Sequence, residues 1–136
     1  MAKYFTLEEM TRSDTAMKRG IDNTPTPEVV ARLEHLMGVL DKIRERWGAP
    51  IRVNSGYRCE TLNKAVGGVW NSQHLTGEAA DITAGNLGAN ASLFDLIKLM
   101  QVGGEIEFDQ LIDEKNMSWI HLSVRKHGNR KEIKRL

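Results

Sequence analysis

A chain of 136 residues, 40% apolar and 27% charged, has the size and composition of one globular domain that buries a core without staples. Its net charge of +1 excludes a molecule-wide electrostatic grip on nucleic acid or membrane, and its single cysteine, Cys59, excludes an internal disulfide. No apolar run approaches the roughly 20 residues of a membrane span. The opening "MAKYFTLEEMTRSD" holds no hydrophobic leader core, so synthesis in the cytoplasm without a signal peptide is expected.

In chain order, "TLEE" (6–9) has the Thr-x-x-Glu form of a capping box and predicts a short helix. "DNTPTP" (22–27) is a breaker, and Thr26 followed by Pro27 is a good helix start. From there Val29, Val30, Leu33, Leu36, Met37, Leu40, Ile43 and Trp47 recur at three- and four-residue spacing, which predicts the longest amphipathic helix, closed at Gly48. "IRVNSGY" reads as a strand running into a turn, "ETLNKAV" as a short helix, and "EAADIT" as a strand leaving a turn. "ASLFDLIKLM" predicts a second amphipathic helix, ended by Gly103 and Gly104. "EIEFDQLID" and "SWIHLSV" predict a hairpin around "EKN". The expected class is α+β, with helices packed on a small, mostly antiparallel sheet. The closing "RKHGNRKEIKRL" (125–136) carries six Lys or Arg against one Glu. It reads as a solvated, partly helical tail, or alternatively as an electrostatic lure for anionic envelope polymers.

Chemistry concentrates in "SQHLTGEAADI" (72–82) and in the last apolar strand. In a helix His74 and Asp81 would lie about 10 Å apart, so a shared role requires the chain to turn, and Gly77 supplies the place. In "SWIHLSV", Ile120, Leu122 and Val124 alternate with Trp119, His121 and Ser123, so the first set should meet the core and His121 should point elsewhere. Two histidine nitrogens and a carboxylate oxygen are a donor set that suits zinc with a fourth position open to water. The pattern by itself equally describes a half-buried surface histidine beside a packing tryptophan.

The run Ser72-x-His74-x-x-Gly77-x-Ala79-x-Asp81 resembles the signature of the zinc D-alanyl-D-alanine carboxypeptidase family. "SGYRCETLN" resembles that family's Ser-Gly-Tyr-Arg segment and "SWIHLS" its Trp-x-His ending. The resemblance runs from about Tyr4 to Val124 and implies the fold shared with the amino-terminal domain of hedgehog proteins. It implies one zinc per chain, held by His74, Asp81 and His121, with Arg58 contacting substrate. A planar guanidinium suits that work, since it holds a carboxylate or polarises a carbonyl with paired hydrogen bonds. Ser72, Gln110 and Trp119 are candidate substrate-binding residues of the same cleft.

One position departs from the pattern. Many carboxypeptidases and dipeptidases of this family carry an acidic residue three places before the last zinc histidine, where this chain has Ser118. Hedgehog domains instead carry a hairpin Glu after a Phe-Asp pair like Phe108-Asp109, and Glu114 matches it if the hairpin is one residue longer here. Glu114 is therefore the first candidate for the general base, and Asp113 the second. Cys59 follows Arg58 directly and should face away from a metal, and His35 reads as a boundary residue of the long helix.

The implied function is a single-domain zinc peptidase, residues 1–136, acting on peptidoglycan stem peptides as a D,D-carboxypeptidase or an L-alanyl-D-glutamate endopeptidase. A monomer without nucleic-acid partners is expected, because the tail comes with no stacking platform. The want of a leader and of a wall-anchoring domain resembles phage endolysins, which reach the cell wall after release toward the periplasm. The alternative is a zinc-stabilised binding module without turnover, which Ser118 would allow.

Overall fold

Side-chain caps set the helix starts in the structure, a computed structural model that describes residues 2–135. Thr6 and Glu9 form the capping box of α1 (Leu7–Thr11), and Ser13 caps α2 (Asp14–Arg19), a short helix outside the sequence expectation. Thr26 caps α3 (Pro27–Trp47), which ends at a left-handed Gly48 as its composition demands. Then follow β1 (Arg52–Ser55), α4 (Glu60–Ala65), β2 (Ala79–Thr83) and α5 (Leu87–Val102). The hairpin strands β3 (Gln110–Glu114) and β4 (Trp119–Ser123) precede a final strand, β5 (Glu132–Arg135).

The five strands form one sheet in the order β1-β2-β4-β3-β5. Three pairings are antiparallel, and β5 joins β3 in parallel. Strand alternation divides the sheet into two faces. Ala80, Ile82, Leu111, Ile120 and Leu122 turn inward and are fully buried in one cluster with Leu33, Leu36 and Leu40 of α3 and Leu93, Phe94 and Ile97 of α5. Burying each of the Leu, Ile and Phe side chains is worth about 1.5–3 kcal/mol, so this layer holds the sheet against the two long helices. The opposite face carries Asp81, His121, Ile112 and Glu114, all of which border one cleft.

Three expectations are corrected. Helix α5 begins at Leu87 rather than at Ala91, because Asn86 caps it by accepting the Ala89 N–H. The stretch 105–109 is not strand, although Ile106 and Phe108 are buried as core residues. The basic tail is neither helical nor loose: Arg130 ties it to buried Asp109 and residues 132–135 extend the sheet. Among the described residues no helix is long and apolar enough to cross a membrane.

Candidate metal centre

The turn between His74 and β2 is built from short-range bonds. Ser72 Oγ accepts the His74 N–H at 3.1 Å, and the Gln73 carbonyl accepts the Glu78 N–H at 3.0 Å. Gly77 takes φ +79°, and a Cβ there would stand 2.9 Å from Val29 Cγ1 and 3.0 Å from the Val29 carbonyl oxygen. Glycine is therefore required twice, for its dihedral and for its missing side chain. The turn folds His74 back over β2, where the register sets Asp81 opposite His121.

The three side chains converge. His74 Nε2 lies 3.3 Å and His121 Nδ1 3.0 Å from Asp81 Oδ1, and the two imidazoles meet edge to face at 5.2 Å between centroids. The three ligand atoms all lie within 4.8 Å of one another. A tetrahedral ion with N and O ligands at about 2.1 Å holds neighbouring ligand atoms roughly 3.4 Å apart, so the spacing fits a small divalent cation. Orientation agrees as well. His74 Nδ1 sits 2.6 Å from the Gly56 carbonyl, which fixes the proton on Nδ1 and leaves the Nε2 lone pair pointing inward. Burial pushes the Asp81 carboxyl up, but the His121 and His74 imidazoles beside it outweigh burial and hold it well below the usual carboxylate range.

Arg58 closes one side of the site. Its side chain is 16% exposed, and it is held by Ser55 Oγ at 3.1 Å, Asn63 Oδ1 at 3.2 Å and Asp81 Oδ2 at 3.5 Å. Burial lowers its pKa and Asp81 opposes that shift. A β-bulge in β1 sets Ser55, rather than Asn54, opposite Asp81, which aims the Ser55 hydroxyl at the guanidinium. Asn63, nearly fully buried, also donates to the Val69 carbonyl and so links Arg58 to the rim of the cleft. No sequence pattern announced that role.

A cleft of about 660 Å³ opens above the trio, and Arg58, Ser72, Gln110, Glu114 and Trp119 all border it. Gln110 donates to Glu132 at 2.6 Å, and Lys115 stands over the Trp119 ring. Burial raises the Glu114 carboxyl; His121 opposes that rise, and Asp81 and Asp113 add to it.

Asp113, the second candidate for the base, is not in the cleft. Strand parity turns it to the other face, opposite Ile120, where its carboxylate accepts the Met117 N–H at 2.7 Å. It serves the hairpin turn, in which Lys115, Asn116 and Met117 all have positive φ. Buried Asn90 of α5 steadies the same turn by donating to the Met117 and Ser118 carbonyls. Ser118 bonds back to the Lys115 carbonyl and is exposed. Cys59 caps α4 through its sulfur and takes no part in the trio.

Three candidate ligand atoms open to a cleft, with a carboxylate and a guanidinium beside them, form a candidate site for a small divalent cation. The model of the family described as peptidase M15 matches residues 3–123, and the chain belongs to that family. The chain is also similar to a zinc D-Ala-D-Ala carboxypeptidase of Streptomyces albus G, with 38% identity over 85 residues. That match covers 62% of this chain and 32% of the relative, so the chain spans about a third of the curated protein it matches.

Proposed function

We propose that the protein is a zinc-dependent peptidase that hydrolyses peptide bonds in peptidoglycan stem peptides, with His74, Asp81 and His121 holding one zinc. The observation that carries the reading is the convergence of His74 Nε2, Asp81 Oδ1 and His121 Nδ1 beneath a cleft bordered by Arg58 and Glu114. The family and the name of the Streptomyces relative support the same chemistry. Zinc bound there supplies Lewis acidity, polarising a carbonyl and making a water acidic near neutral pH.

The chain's own residues supply the rest. Glu114 takes the proton of the attacking water on its carboxylate and returns it to the leaving amine. Its burial, which raises the carboxyl, suits a group that must both accept and give a proton. Arg58 donates to the substrate's carbonyl or terminal carboxylate from a position preset by Ser55 and Asn63. Asp81 offers Oδ1 to the ion beside His74 Nε2 and His121 Nδ1, and the Gly56 carbonyl fixes the His74 ring from behind. A carboxylate in the cleft favours this reading over a binding module without turnover.

Digestion of purified peptidoglycan by the zinc-loaded protein, with mass spectrometry of the fragments, tests the proposal. Loss of a terminal D-alanine identifies a D,D-carboxypeptidase, and a new glutamyl amine identifies an L-alanyl-D-glutamate endopeptidase. As a finer form of the reading, the protein serves as a cell-wall lysin, which clearing of a peptidoglycan gel would display. Intact muropeptides after digestion would overturn the enzymatic reading.

A further inference from the structure

We propose that Lys134 and Arg125, on the far wall of the cleft, form a subsite for a second free carboxylate of the substrate, within one or two residues of the bond cleaved. The proposal rests on the peptidase reading above and names what its cleft selects. It comes from the sheet register. Ser55, Asp81, His121, Ile112 and Lys134 are successive partners across β1, β2, β4, β3 and β5, so one row of the sheet runs from the metal ligands to Lys134. Partners in such a row face the same side, and Lys134 borders the same cleft as His121. Two strand spacings of about 4.8 Å set their Cα atoms roughly 10 Å apart. An extended peptide advances about 3.4 Å per residue, and the lysine's own length shortens the gap further.

The wall is built rather than draped. Asp109 is fully buried and binds Arg130 through both carboxylate oxygens, at 3.0 and 2.8 Å, which anchors the segment leading into β5. Asn129 and Arg125 exchange two bonds of 2.8 Å that close the preceding loop. Arg130 is consumed by this work. Arg125 spends only its Nε on Asp109, at 3.4 Å, and its side chain is 41% exposed. Lys134 Nζ stands 3.5 Å from Glu132, whose same oxygen already accepts from Gln110 at 2.6 Å. Three cations thus face two carboxylates at this wall, leaving a net positive charge where a peptide would pass. Arg125, Arg130 and Lys134 lie beyond residues 3–123, the span of the family match, whereas Asp109, which holds the two arginines, lies within it.

The test uses a stem pentapeptide with free side carboxylates and the same peptide with those groups amidated, the C-terminal carboxylate being free in both. Hydrolysis and calorimetric binding are measured on zinc-loaded wild type, Lys134→Gln, Lys134→Glu and Arg125→Gln. The wild type should prefer the free acid by about fivefold to tenfold in KM and in Kd, with kcat alike and with the preference shrinking at high salt. Lys134→Gln and Arg125→Gln should each narrow the gap about two- to fivefold, and Lys134→Glu should reverse it. A wild type indifferent to amidation, or variants that keep its full preference, would overturn the subsite. If neither peptide is cut but the binding preference is present and falls in the variants, the subsite stands and the peptidase reading fails. If both are cut with equal KM, the reverse holds.

Discussion

Asp81 and His121 face each other across β2 and β4, and their side chains meet 3.0 Å apart on the sheet face that borders the cleft. The pairing is a property of register, since a slip by one residue would turn one of the two to the core face and separate them. Everything assigned to the site depends on that register and on the turn that returns His74 to it.

Gly77→Ala tests the turn. The new Cβ would meet Val29 from a left-handed backbone, combining a dihedral cost with overpacking. A loss of about 2–4 kcal/mol is expected from a denaturant titration, together with weaker metal retention. Unchanged stability would show that the loop relaxes without Gly77.

Arg58→Ala should keep fold and metal but lose most turnover. If the guanidinium acts on the transition state, kcat falls; if it only anchors substrate, KM rises. Arg58→Lys should not restore the rate, because a single ammonium cannot reproduce the bonds that Ser55, Asn63 and Asp81 orient. Wild-type kinetics in Arg58→Ala would reduce this residue to a packing role.

Glu114→Gln preserves shape and removes the proton acceptor. Turnover should drop about 10²–10⁴-fold with metal content intact. Asp113→Asn should instead loosen the hairpin, since its carboxylate holds the Met117 N–H on the opposite face. A fully active Glu114→Gln enzyme would remove the base from the proposed mechanism.

Much of this was legible because it is local. The capping box at Thr6, the Thr26–Pro27 start and the Gly77 turn are written within a few residues of where they act. The alternation in "SWIHLS" located His121 on the open face for the same reason. Long-range features were not legible. Strand β5 is short, polar and exposed, so no apolar period marks it, and its place is set by Asp109, which lies 21 residues from Arg130. Gln73 likewise reaches Asp109 across the fold, at 3.0 Å, with no signal in its neighbourhood. Asp113 and Glu114 are adjacent, and only the pairing of β3 with β4 decides which of them shares the face of His121.

The Asp109 network carries a pH signature. Bonds from Arg130 hold its carboxyl at about 2 against the opposing effect of burial, and Gln73 assists. Because an unfolded aspartate titrates near 3.9, the contribution is complete above roughly pH 5 and is lost progressively as pH falls toward 2. Asp109→Asn should cost about 2 kcal/mol at neutral pH and flatten the acid limb of a stability–pH profile. An acid limb identical to that of the wild type would place the sensitivity elsewhere.

Metal analysis of the purified protein bears most directly on the central claim that His74, Asp81 and His121 form one zinc site. After zinc loading and removal of free metal, the wild type should retain close to one zinc per chain. His74→Ala and His121→Ala, each still folded by circular dichroism, should retain little. Full zinc occupancy in both variants would contradict the account.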